Sequence, residues 1–234
     1  MIFEILFEDD DILAANKPAG LPSQPTLDKS RKDFYTLLKE QLIRRDGADS
    51  YLALHHRLDR DTSGIMLFAK SKRANSPLAN LFKGRDIHKT YWCLINAKNI
   101  PEKWEVKNFL APFEDKKTKR TKMHAVHSGG APALTNFTLL EKLKRGQLIE
   151  ANPKTGRMHQ IRVHLSEFQR GIYGDDLYHS PQVPVAPRLM LHARSLEFTH
   201  PFSQEQMKLE APTPEDFTAF KDVLNAAKKL QPQT

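Results

Sequence analysis

Apolar positions along the chain recur with two periods, and the changes between them mark the elements. Residues 2–16 read as two short strands, Ile2 to Phe7 and Asp11 to Asn16, split by the acidic Glu8-Asp9-Asp10. Lys17-Pro18-Ala19-Gly20-Leu21-Pro22 is turn-rich, because proline fixes φ and glycine permits positive φ. Residues 23–32 are polar loop, after which Asp33 is placed to cap a helix reaching about Arg45. Phe34, Leu37, Leu38 and Leu42 recur there at helical spacing and predict a core face. Ile65 to Ala69 is a continuous apolar run of strand length between Gly64 and Lys70-Ser71-Lys72, which suits a strand buried on both faces. Residues 72–84 predict a short helix with Leu78, Leu81 and Phe82 inward and Gly84 at its C-cap.

The second half continues the alternation. His88 to Ile95 is rich in aromatic and β-branched residues and reads as a strand, with Tyr91 and Cys93 on one face and Trp92 and Leu94 on the other. Ala133 to Lys142 and Gln147 to Ala151 predict a hairpin with Gly146 in its turn. Asn152 to Arg157 is a further turn. Ile161, Leu165 and Phe168 then fall at i, i+4 and i+7, predicting an amphipathic helix from His159 that ends near Gly171. Arg188 to Ala193 and Leu196 to Thr199 read as strands, and Pro214 to Lys229 as a closing helix with proline at its start. Without repeats, low-complexity segments or a clear linker, the expectation is one continuous α/β domain with a mixed sheet.

Composition narrows the function classes. Cys93 is the only cysteine of 234 residues, so no intrachain disulfide and no thiolate zinc knuckle can form. No apolar run approaches the roughly 20 residues needed to span a bilayer, and the N-terminus carries no secretory pattern. These features favour a reducing cytosol. Lysine and arginine number 36 against 28 aspartate and glutamate, a formal charge of +8, spread along the chain rather than massed in a tail. That balance suits a polyanionic partner, nucleic acid before an anionic membrane surface. The densest basic run, residues 115–122, is either a solvated loop or a clamp on phosphates through Lys116, Lys117, Lys119 and Arg120.

One stretch resists a packing explanation. His55-His56-Arg57-Leu58-Asp59-Arg60-Asp61-Thr62-Ser63-Gly64 crowds four charges immediately before a strand that enters the core. Such charges must be paired, solvated or functional. A charged surface turn with two ion pairs accounts for the spacing as well as a functional site does. Metal-dependent phosphoryl transfer through Asp59 and Asp61 is a further class, but Arg57 and Arg60 beside them make an awkward cation site. His159 and His164 are five apart, which is not the i, i+4 spacing of a helical metal pair.

The order of segments carries more. Asn16-Lys17-Pro18-Ala19-Gly20, His56-Arg57-Leu58-Asp59-Arg60-Asp61-Thr62-Ser63-Gly64, Lys89-Thr90-Tyr91, Gly156-Arg157-Met158-His159-Gln160-Ile161-Arg162-Val163-His164, Gly174-Asp175 and Leu191-His192-Ala193 occur in this sequence. Together they resemble the RluA family of pseudouridine synthases. The resemblance implies a mixed, largely antiparallel sheet with flanking helices, a single catalytic domain over residues 1–234 without an S4-type RNA-binding domain, and action as a monomer on ribosomal or transfer RNA, with no cofactor and no metal. It implies that Asp59 is the nucleophile, that Arg162 keeps it ionised, and that Tyr91 stacks on the target base. Arg57 would enter the site as the base is extruded, Leu191 would pack beside the base, and Arg60 and Arg157 would contact the RNA. Substrate choice would fall to residues 22–32, 44–54, 115–122 and 175–187. A non-catalytic RNA-binding protein on the same fold is the alternative, but binding alone has no need of the carboxylate.

Overall fold

The computed structural model describes residues 2–28, 30–115, 120–168, 170–178 and 184–226. β1 (Ile5–Glu8) and β2 (Ile12–Lys17) form a hairpin whose turn is closed by Asp9, its carboxylate accepting the Asp11 and Ile12 N–H groups. α1 (Phe34–Asp46) begins where Asp33 accepts the Thr36 N–H at 3.0 Å, and it buries Phe34, Leu38 and Leu42. β3 (Ala53–Leu54) leads to β4 (Ser63–Ala69), every residue of which is buried. α2 (Asn75–Gly84) follows; the left-handed residue that ends it is Arg85 at φ 68, not Gly84. β5 (His88–Ile95) has the predicted bounds.

β6 (Lys103–Glu114) and β7 (Thr121–Val126) are strands that the pattern reading did not predict. β8 (Ala131–Leu143) and β9 (Gly146–Pro153) are the predicted hairpin, lengthened at both outer ends. α3 (Gln160–Glu167) starts one residue after His159. β10 (Leu191–Thr199) is one strand rather than two, with a register shift between Ala193 and Ser195. β11 (Gln206–Glu210) pairs with it, and α4 (Glu215–Asn225) closes the described chain with Pro214 as its N-cap. The predicted end of that last helix at Lys229 lies outside the described residues.

All eleven described strands belong to one sheet, in the order β1-β2-β4-β10-β5-β9-β8-β6-β7, with β3 on β4 and β11 on β10. Only the β4–β10 pairing is parallel, so the sheet is mixed and largely antiparallel. Two apolar cores form against it. One joins β2 and β4 to α1 through Ile12, Leu13, Phe34, Leu38 and Phe68. The other joins β5, β8 and β9 to α3 and α4 through Cys93, Phe137, Ile149, Leu165 and Phe217. Tyr91 packs against both, so it stands at their seam.

The parallel contact at that seam requires Gly64. Its φ is +118, and a Cβ there would lie 2.2 Å from the Ala193 carbonyl oxygen. Backbone cannot yield to that approach, since Ala193 and Gly64 are register partners. Gly64→Ala is therefore expected to cost at least about 2–3 kcal/mol. Denaturant unfolding measures it, and a change under about 0.5 kcal/mol would show that the strands can separate.

α3 departs from the amphipathic expectation. Residues 160–165 are all buried, while Phe168, expected on the core face, is 52% exposed. The polar positions are inside because each has a partner. Gln160 binds Leu134 O, Thr135, Thr155 and the Arg157 N–H, and His164 Nε2 lies 2.9 Å from Asn108 Oδ1. Among the described residues no helix is long and apolar enough to cross a membrane.

Candidate active site

The loop before β4 is held by groups distant in sequence. Ser23 Oγ donates to the Leu58 carbonyl at 2.7 Å and accepts the Leu58 N–H at 3.0 Å. Lys17 is fully buried, and its amine donates to the carbonyls of Pro18, Leu21 and Arg60. Burial pushes its pKa down to about 7, against the pull of the Asp61 and Asp59 carboxylates. The Gly20 N–H also reaches Arg60 O, and the Thr62 N–H closes a turn on Asp59 O at 3.1 Å. His56 stacks on Phe82 at 4.4 Å, and its Nε2 accepts the Leu67 N–H. Its pKa is lowered to about 3 by burial first and by the Lys89 amine second, so the ring is neutral. Asp59 thus sits on a clamped backbone at the mouth of the most buried strand, the kind of support that precise chemistry needs.

Asp59, Tyr91 and Arg162 converge from β4's leading turn, β5 and α3. Arg162 Nη1 lies 3.4 Å from Asp59 Oδ2. The same guanidinium forks onto Asp175, with Nε to Oδ2 at 2.8 Å and Nη2 to Oδ1 at 2.7 Å. Side-chain exposure is 4% for Arg162, 1% for Asp175 and 22% for Asp59. Burial alone would lower the Arg162 pKa, but the hydrogen bonds and charge of Asp175 and the charge of Asp59 raise it above the ordinary arginine value. Its charge is therefore fixed. Burial and the Asp59 charge raise the Tyr91 phenol, which stays protonated at neutral pH.

These residues line an open cleft of about 1110 Å³ that also takes in Arg57, Arg157 and Leu191. Arg57 is exposed at the cleft and makes no ion pair among the described residues. Leu191 is buried beneath the cleft as β10 begins. Arg157 donates through Nε to Pro132 O. Arg60 does not line the cleft; it forks onto Asp61 at 2.9 and 3.0 Å. Arg120 is likewise away from the cleft, paired with Asp176 at 2.8 Å. Lys116, Lys117 and Lys119 lie outside the described residues, as does part of the 175–187 segment.

Four groups at the site were given no role by the sequence reading: Asp175, His159, Tyr178 and Lys89. Gly174 shows why the first is so placed. Its φ is +77, and a Cβ there would meet Arg188 O at 1.8 Å, so only glycine admits the turn that delivers Asp175. The Asp175 carboxylate also accepts the Leu177 and Tyr178 N–H groups, tying that turn to the guanidinium. The Gly174-Asp175 pair was visible in the resemblance; nothing in the local pattern marks Tyr178.

An aspartate, an arginine and a tyrosine thus share one open cleft at the seam between the two cores of a mixed sheet. Residues 11–167 match the model of the RNA pseudouridylate synthase family. The ribosomal large subunit pseudouridine synthase D of Neisseria meningitidis serogroup A is 33% identical over 96% of this chain and 62% of that protein. Ribosomal large subunit pseudouridine synthase C of Rickettsia felis is 34% identical over 92% of this chain and 68% of that protein. Among solved structures, human RNA pseudouridylate synthase domain containing 4 superposes with a TM-score of 0.75 at 27% identity, covering 92% of this chain and 90% of that one. The chain belongs to the RNA pseudouridylate synthase family, in its RluA branch. It spans about 62% of the length of the first of these bacterial relatives.

Proposed function

We propose that this protein isomerises uridine in RNA to pseudouridine, with Asp59 as nucleophile. The observation that carries the reading is the convergence of Asp59, Arg162 and Tyr91 in one open cleft of a chain that belongs to this family. Isomerisation breaks the bond from uracil N1 to ribose C1′ and makes one from C5 to C1′. The C5 proton is lost and N1 gains one, so no redox partner is needed. A carboxylate must be ionised to attack, whether at C1′ or at C6, and the fixed cation of Arg162 favours that form. A stacked base keeps both carbons out of reach, so the uridine must leave its stack at a cost of about a few kcal/mol. Tyr91 offers a face for the extruded base, worth roughly 1–3 kcal/mol, with Leu191 beside it and Arg57 free to fill the gap left in the RNA.

The relatives named for ribosomal large-subunit modification make that RNA the first substrate to try. Release of tritium from RNA labelled at uracil C5 measures the reaction, and carbodiimide mapping in cells with and without the gene locates the uridine. No release from any cellular RNA would remove the isomerase reading.

Arg57, Lys83, Arg85, Lys89, Lys154 and Arg157 all line the cleft, and none makes an ion pair among the described residues. They form the surface for RNA phosphates. Binding to single-stranded RNA is expected to fall with salt at a log–log slope of about −0.7 per neutralised phosphate, and Lys89→Gln is expected to flatten it by about 0.7. An unchanged slope in a folded variant would place that amine off the RNA track.

A further inference from the structure

His159 holds a left-handed backbone, φ 54 and ψ 18, directly before α3. That conformation is uncommon for a residue with a Cβ and persists where its surroundings hold it. A hydrogen bond between Nδ1 and the Tyr178 hydroxyl, 2.7 Å long, holds it here. The Tyr178 oxygen also accepts the Met123 N–H at 2.8 Å. If Nδ1 carried a proton, the phenol would receive two donors and its own proton would have no acceptor here. The arrangement that pairs all three groups has Tyr178 donating to Nδ1. A neutral imidazole then bears its proton on Nε2. Burial lowers the pKa of His159, against the pull of the Asp59 and Asp175 charges, so the ring is neutral at pH 7.

Nε2 lies 3.9 Å from Asp59 Oδ2, the same oxygen that Arg162 Nη1 approaches at 3.4 Å. Asp59 Oδ1 has no protein partner among the described residues. We infer that Tyr178 sets the tautomer of His159, that His159 thereby presents a neutral Nε2–H donor to Oδ2 beside Arg162, and that Oδ1 is the oxygen left to attack. His159 is then a positioning residue acting through Asp59, and Tyr178 acts through His159. At 3.9 Å the contact is longer than a hydrogen bond; catalytic contacts of this kind tighten once substrate fills the site. Neutrality has a purpose. A second full positive charge would hold the ground-state carboxylate more tightly than the partly neutralised one of the transition state, and would slow the attack.

The kinetic side of this inference rests on the isomerase reading, whereas its spectroscopic side does not. Long-range 15N–1H spectra of the full chain, with the His159 signals assigned by their loss in His159→Gln, are expected to show an unprotonated Nδ1 and a protonated Nε2 at pH 7. Tyr178→Phe keeps the ring that packs on Arg162 at 5.2 Å and deletes only the hydroxyl; it is expected to mix the tautomers. A protonated Nδ1 in the wild-type protein overturns the inference whether or not the protein isomerises RNA. In the tritium assay, His159→Leu is expected to lower kcat by about 10- to 100-fold with KM unchanged. His159→Gln restores most of it, because it carries an N–H near the same position under the same backbone strain. Tyr178→Phe loses less, and nothing further in the His159→Leu background. Equal activity of the leucine and glutamine variants, or losses that multiply, overturns the inference. A wild-type protein that releases no tritium overturns the isomerase reading instead, and the spectra still decide the tautomer.

Discussion

Asp59→Asn is expected to abolish tritium release, a loss on the order of 10⁴-fold or more as for other nucleophile deletions, while leaving stability within about 1 kcal/mol of the wild-type protein. The first half follows from the proposed role of Asp59, the second from the geometry around it. The substitution keeps the size of the side chain and removes the charge to which the proposed reaction assigns the attack. It does not strand Arg162, because the guanidinium spends its fork on Asp175 and reaches Asp59 only through Nη1 at 3.4 Å. The backbone of the loop is held by Ser23 and Lys17 through carbonyl and amide groups that the substitution does not touch. RNA affinity should persist, since the cations that line the cleft remain. Full tritium release by a folded Asp59→Asn protein would remove Asp59 as nucleophile. Lost activity accompanied by a large fall in stability would show instead that Asp59 is part of the scaffold.

The elements around this site differ in how openly the chain displays them. β4 is buried on both faces and so reads as an unbroken apolar run, and α1 announces itself through Asp33 and a helical apolar stripe. β6 was hidden. Trp104, Val106 and Leu110 alternate along it, but Asn108 interrupts them, and Phe109 and Phe113 sit on its exposed positions. α3 departs from its pattern for the opposite reason. Its polar residues are not its solvent face, because Gln160, Arg162 and His164 are buried and each finds a hydrogen-bond partner contributed by another segment. Binary patterning assumes that polar means outside, and functional helices break that rule. Arg60 shows the limit of reading charge alone, since the adjacent Asp61 takes its guanidinium and turns it from the cleft. Asp59, Tyr91 and Arg162 were legible as a set only through the order of their segments. Their meeting depends on contacts across 103 residues, and Asp175 and Tyr178 enter from a loop with no periodic signal.

That loop supplies the second large effect. Asp175→Ala is expected to cost roughly 3–5 kcal/mol, because it leaves the buried Arg162 charge without its main counter-ion. For a chain of this length the melting temperature should fall on the order of 10 °C. Activity should collapse with it, even where the protein stays folded. With Asp175 gone, the closest carboxylate to the guanidinium is Asp59, which would be drawn from a contact at 3.4 Å into a tighter pair. The proposed nucleophile would then be held by the group whose proposed part is only to keep it ionised. Asp175→Asn separates the two effects. It retains shape and one acceptor but removes the charge, so stability should recover in part while kcat stays low. Thermal melts and single-turnover rates on the pair of variants check this. If Asp175→Ala melts with the wild-type protein, the fork is not what balances Arg162. If Asp175→Asn recovers full activity, the charge of Asp175 has no share in keeping Arg162 off the nucleophile.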